Sequence, residues 1–120
     1  MGLLVDMKKN SFYIFQEELI CYKPCKDIVT ISGFVEELNR AFGKEGMKRL
    51  RSSPFIDYLM NRGFLEMVNG EIRPTRKGEL LGISIKELSD KEGYRHCLNV
   101  YDRKAQQYLL DHLYDVLDDY

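Results

Sequence analysis

Apolar residues recur along this chain at two periods, and the changes of period mark its elements. Phe12, Phe15 and Leu19 share one helical face, so the pattern predicts a helix over about 12–22, capped by Asn10 or Ser11 and stopped by Pro24. Leu3, Leu4 and Val5 form a short apolar lead-in before it. Ile28, Val29 and Ile31 make a brief β-prone run. Ser32 then offers a cap for a second helix, 33–42, whose stripe is Phe34, Val35, Leu38 and Phe42, with Gly43 as its stop. Residues 43–51 form a basic connector with room for one helical turn. Ser53 and Pro54 are a helix start, a capping hydroxyl followed by a proline at the first helical position. Phe55, Ile56, Leu59 and Met60 keep helical spacing up to Gly63.

Beyond Gly63 the period changes. Phe64 to Val68 and Glu71 to Arg73 flank Asn69-Gly70, the pair best suited to a two-residue hairpin turn, because both positions need positive φ. Thr75 can cap a short helix, 76–82. A second hairpin is predicted from Ile83–Leu88 and Tyr94–Tyr101 around a polar loop. Asp102 caps a last long helix, 103–118, with the stripe Ala105, Tyr108, Leu109, His112, Leu113, Val116, Leu117 and Tyr120. No repeat, low-complexity run or linker divides the 120 residues, so one α+β domain is expected.

The order helix, short strand, helix, helix, hairpin is that of a winged helix-turn-helix. Leu59, Gly63, Phe64 and Leu65, followed by Thr75, Lys77, Gly78 and Leu81, resemble the end of the recognition helix and the wing of MarR-like and PadR-like transcription regulators. Phage antirepressor C-terminal domains are similar over the same stretch. The resemblance covers about a quarter of the chain. It implies a winged helix-turn-helix core over about 11–82, with 83–120 as an added C-terminal β-hairpin and long C-terminal helix. It also implies that a last helix of this kind could build a homodimer. Leu110 and Tyr114, an i, i+4 pair beside the main stripe, are the expected partner or dimer surface.

Charge changes the picture in one respect. The formal net charge is only -1, yet residues 44–77 carry eight basic and four acidic groups, whereas 102–120 carry two basic groups and five aspartates. The basic middle falls on the helix and wing that the resemblance singles out. Lys44, Lys48, Arg49, Arg51 and Arg62 are candidate phosphate contacts, Tyr58 and Asn61 candidate base contacts, and Arg73, Arg76 and Lys77 candidate anchors on the wing side. The expected function is a small nucleic-acid-binding regulator, of bacterial or phage type, with double-stranded DNA as its partner. Three features support an alternative. The wing tip has no basic residue, Asp57 lies on the expected DNA-facing surface, and the last helix is acidic. They fit a protein-interaction module, such as a phage or mobile-element accessory protein acting on a nucleic-acid-handling enzyme.

Other chemistry finds less support. Cys21 and Cys25 have ligand-like spacing and His96 with Cys97 could complete a four-ligand set, but the paired motifs of structural zinc sites are missing, so no metal is expected. The Gly-rich, nucleophile-elbow and zincin motifs are absent, and Glu17-Glu18 and Glu36-Glu37 diverge as neighbours on helices. No enzyme and no cofactor are expected. No stretch is apolar enough to span a membrane, Met1 to Met7 is too short and acidic for a signal peptide, and Asp6 spoils a myristoylation motif. Three cysteines without an export signal suit reduced thiols, and the expected location is the cytoplasm.

Overall fold

The computed structural model describes residues 12–118, and the chain is a mixed α+β fold. The expectations for Leu3, Leu4, Val5, Asn10, Ser11, Asp119 and Tyr120, and for the side chains of His96 and Asp118, lie outside what it describes. The elements in order are α1 (Gln16–Cys21), β1 (Val29–Thr30), α2 (Ile31–Phe42), α3 (Ser53–Asn61), β2 (Leu65–Val68), β3 (Glu71–Pro74), α4 (Arg76–Leu81), β4 (Ile83–Ser89), β5 (Arg95–Tyr101), α5 (Arg103–Asp111) and α6 (Leu113–Asp118).

The first helix is shorter than its apolar spacing suggests. Phe12 and Ile14 are buried while Tyr13 and Phe15 are exposed, so the entry segment follows a two-residue period and the helix starts only at Gln16. The second helix starts earlier than expected. Its cap is Thr30, whose Oγ1 accepts a hydrogen bond from the Gly33 amide at 3.1 Å. That cap takes the chain out of β1 after two residues. Phe34, Val35, Leu38 and Phe42 then face the core, as the spacing predicts.

The connector 43–52 forms no helical turn. Asn39 pins it: the Leu50 amide donates to Asn39 Oδ1 at 2.8 Å, and Asn39 Nδ2 donates to the Leu50 carbonyl at 3.2 Å. The clamp seats Leu50 in the core and leaves Lys48, Arg49 and Arg51 on the surface. Helix α3 begins one residue before the expected point, with Ser52 at the cap position and Pro54 inside the first turn.

The first hairpin forms as predicted, with Val68 opposite Glu71 and Asn69 at φ +52 in the turn. It is tied firmly to the helices on both sides. Gly63, at φ +83, reverses the chain out of α3. Thr75 Oγ1 donates to the Gly63 carbonyl at 2.6 Å and accepts from the Gly78 amide at 3.1 Å. A Cβ at Gly78 would stand 2.1 Å from the Phe64 carbonyl oxygen, so only glycine lets α4 lie this close to the strand entry. Thus the threonine and glycine of the Thr-x-Lys-Gly motif both do structural work.

The second hairpin belongs to another sheet. β1, β5 and β4 form an antiparallel sheet in that order, separate from the β2–β3 pair. Val29 lies opposite Tyr101, and Ile83 opposite the same residue on the other side. Among its described side chains, those that enter the core, Ile83, Val100 and Tyr101, lie at the base of this hairpin. Buried Gln106 holds the base in place. Its Oε1 accepts from the Cys25 amide at 3.0 Å, and its Nε2 donates to the carbonyls of Asp27 and Tyr101 at 3.0 and 3.2 Å. All its polar atoms therefore have partners, as a buried amide requires.

The long last helix of the sequence reading is in fact two. Asp102 caps the first, with Oδ1 accepting from the Ala105 amide at 2.9 Å. At His112 the backbone leaves helical geometry (φ -111, ψ 17), and α6 starts afresh at Leu113. The His112 Nδ1 lies 2.8 Å from the Tyr108 carbonyl, and the two rings stack at 4.1 Å. With a proton on Nδ1, the imidazole adds a second donor to that carbonyl and fixes the break. Periodicity carries through such a break unchanged, because Leu109, Leu113 and Val116 all still reach the core.

Candidate nucleic-acid interface

Helix α3 carries Ser53, Asp57 and Asn61 at intervals of four, which places them on one face. The Asn39 clamp brings Lys48 and Arg51 alongside that face. Together they line an open cleft of about 300 Å³ whose far wall includes Val116 of α6. Positive charge sits at the connector side, beside the N-terminal turn of α3, where the helix dipole also favours an anion. Asp57 puts one negative charge in the middle, and Asn61 marks the far end.

Of the ten residues predicted to contact DNA, four (Lys48, Arg51, Tyr58 and Asn61) line this cleft. Tyr58 needs correction as a base contact. Its side chain is only 7% exposed, because α6 packs over it, and its hydroxyl lies 3.4 Å from Asp115 Oδ2. Burial, reinforced by neighbouring Tyr108, raises its pKa above the usual tyrosine value. Periodicity within α3 alone places Tyr58 outside the apolar stripe, and it is α6, distant in sequence, that covers it.

The other basic residues are spread out, and several have local partners. Arg62 stacks over the Tyr58 ring with 4.7 Å between the guanidinium and the ring centroid. Lys77 Nζ donates to the Arg62 carbonyl at 2.8 Å, at the C-terminal end of α3, and sits over the Phe64 ring. Arg73 pairs with Glu71 at 3.0 Å, and Lys44 with Glu18 at 3.4 Å, the latter also lying over Tyr13 and Phe15. Arg49 borders a separate shallow groove, which Arg51 shares. Arg76 is exposed on the first turn of α4. The predicted stripe therefore resolves into a compact group at the start of α3 and scattered side chains, of which Lys77 ties α4 to the end of α3.

The expected partner surface on the last helix also needs correction. Leu110 is 3% exposed and lies in the core, and the exposed Tyr114 donates its hydroxyl hydrogen to the Ile14 carbonyl at 2.9 Å. This chain's own entry segment occupies part of the face assigned to a dimer partner. Among the described residues, no group of three or more His, Cys, Asp or Glu side chains is arranged to hold a metal ion. None of the described helices is long and apolar enough to cross a membrane. Ser53, expected only as a cap, is a lining residue of the cleft. Its place four residues before Asp57 was the available signal.

No protein family, curated protein or solved structure matches this chain.

Proposed function

We propose that this protein is a nucleic-acid-binding module of winged-helix type that grips the phosphate backbone of double-stranded DNA. The observation that carries the reading is the convergence of Lys48, Arg51, Ser53 and Asn61 on one open cleft along α3. Lys48, Arg51 and the Ser53 hydroxyl suit phosphate oxygens, and Asn61 is the side chain placed to reach a base edge. The order α1, β1, α2, α3, β2, β3 supports the winged-helix class. β1 pairs with β5 rather than with the β2–β3 hairpin. Buried Tyr58, the uncharged Asn69–Gly70 tip and Asp57 favour backbone contact over deep reading of the groove.

The test is fluorescence anisotropy with a random-sequence duplex at rising salt. The reading expects binding whose logarithm falls linearly with the logarithm of salt, with a slope near -2 to -3 for two or three neutralised phosphates. No binding at low salt would overturn it. A second reading, a protein-interaction module, draws on one observation: α6 brings Asp115 against α3 and makes that face partly acidic. Capture of a defined partner that survives nuclease treatment, together with no duplex binding, would favour this second reading.

A further inference from the structure

The two serines at the start of α3 are not equivalent. Ser52 stands half-buried at the cap position, and its carbonyl accepts from the Phe55 and Ile56 amides. Ser53 is exposed and lines the cleft with Lys48, Arg51, Asp57 and Asn61. Residues 47–51 before it belong to no helix or strand, and of these only Leu50 is buried. Arg49 and Arg51 stand exposed four and two positions upstream of Ser53. An exposed hydroxyl that follows spaced arginines on non-helical chain has the charge pattern by which many protein kinases select a serine.

Charge decides what a phosphate at this position does. The charged side chains lining the cleft are Lys48, Arg51 and Asp57, two positive and one negative. A phosphoserine carries about -1.5 to -2 charges at neutral pH. At Ser53 it shares a hollow of about 300 Å³ with both cations. Asp57, four residues on along the same face of α3, repels it and so turns it toward the connector that carries Lys48 and Arg51. Two attractions outweigh one repulsion, so the phosphate stays in the cleft, but the cleft as a whole changes from net positive to net negative. A DNA phosphate then meets cations already engaged and a repelling field.

We infer that Ser53 is a phosphorylation site, and that its phosphate takes the place proposed for a DNA phosphate and so switches duplex binding off. The switch rests on the nucleic-acid reading of the cleft, whereas the docking of a phosphate on Lys48 and Arg51 does not. In the reaction the Ser53 oxygen attacks the γ-phosphorus of a nucleoside triphosphate held by a protein kinase. The new P–O bond forms as the bond to the bridging oxygen breaks. The nucleoside diphosphate leaves with that electron pair, and the hydroxyl proton passes to a base of the kinase.

The full chain serves for every arm of the test. The unmodified protein is first incubated with ATP and a protein kinase that selects serines after arginines, and its peptides are weighed. Phosphate is expected on Ser53; phosphate on Ser52 alone, or on neither, would overturn the inference. Phosphoserine is then built in at position 53 during translation, and its phosphorus NMR signal is followed through pH. Its second ionisation is expected at lower pH than in the same protein carrying Lys48→Ala/Arg51→Ala, because the two cations favour the dianion. Coincident titrations would overturn the docking. Duplex binding at low salt is the last readout. It is expected to weaken at least about tenfold with phosphoserine at position 53, and less than about twofold with phosphoserine at the exposed Ser89 of the second hairpin. Equal weakening by both would overturn the switch by reducing it to net charge. An unmodified chain that binds no duplex would sink the nucleic-acid reading and the switch with it, while the first two arms still decide the modification site.

Discussion

The two hairpins of this protein differ in length and are held in opposite ways: β2 and β3 have four residues each, β4 and β5 seven. β2–β3 has a two-residue turn, and its ends are fastened by Thr75 to Gly63, Lys77 to Arg62 and the close approach of Gly78 to Phe64. β4–β5 has seven-residue strands, a five-residue loop and a buried base, while Ile85, Leu88, Tyr94 and Leu98 lie exposed further out. The first hairpin is part of the scaffold that sets α3. The second is a projecting arm anchored at one end. Side chains in the first hairpin's joints and the second's base should govern stability, and those of the arm's outer half should be tolerant.

The sharpest way to break that comparison is at the base of the arm. Tyr101→Ala removes a ring that is only 1% exposed, and the expected loss is about 3–5 kcal/mol. Urea or thermal denaturation would measure it. A loss under about 1 kcal/mol would mean that the base is not the anchor.

The same side chain gives a pH signature. Burial pushes the Tyr101 pKa up from 10.0 to about 12, so the folded state holds this proton more tightly than the unfolded one. The associated stability is complete below about pH 10 and is lost as pH rises toward 12, by on the order of 2–3 kcal/mol. Denaturation midpoints of the wild type between pH 9 and 12 would show the decline.

Two substitutions of intermediate effect compare the joints directly. Gln106→Leu leaves the Cys25 amide and the Asp27 and Tyr101 carbonyls without their side-chain partner, an expected cost of about 1–3 kcal/mol. Gly78→Ala forces a methyl group against the Phe64 carbonyl and should cost about 1–3 kcal/mol by pushing α4 off the first hairpin. The smallest effect belongs to the arm: Leu88→Ser, at an exposed position, should change stability by less than about 0.5 kcal/mol. A larger loss at Leu88 than at Gly78 would reverse the roles of the hairpins.

Much of this contrast was legible along the chain, and the exceptions are instructive. Asn69-Gly70, Thr75 and Asp102 each act locally, through a turn or a cap, so their roles can be read from neighbouring residues, whereas Gly78 is required by the distant Phe64 carbonyl. The early end of β1 also has a local cause, the Thr30 cap, which lies two residues before the Ser32 expected from the pattern. The burial of Tyr58 and Leu110 could not be read from either helix alone, because each depends on contacts between distant segments. The same holds for the candidate site. Lys48 and Arg51 reach α3 through Asn39, a residue with no charge and no motif. The sheet order was hidden as well, because strand pairing leaves no mark in periodicity.

On the proposed function, the start of α3, rather than the β2–β3 hairpin, meets phosphate. The most direct measurement is the salt dependence of duplex binding for Lys48→Ala/Arg51→Ala beside Arg73→Ala, whose guanidinium is paired with Glu71. The account predicts weaker binding and a slope shallower by about 2 for the double variant, with little change for Arg73→Ala. An unchanged slope in the double variant, or the larger change in Arg73→Ala, would contradict it.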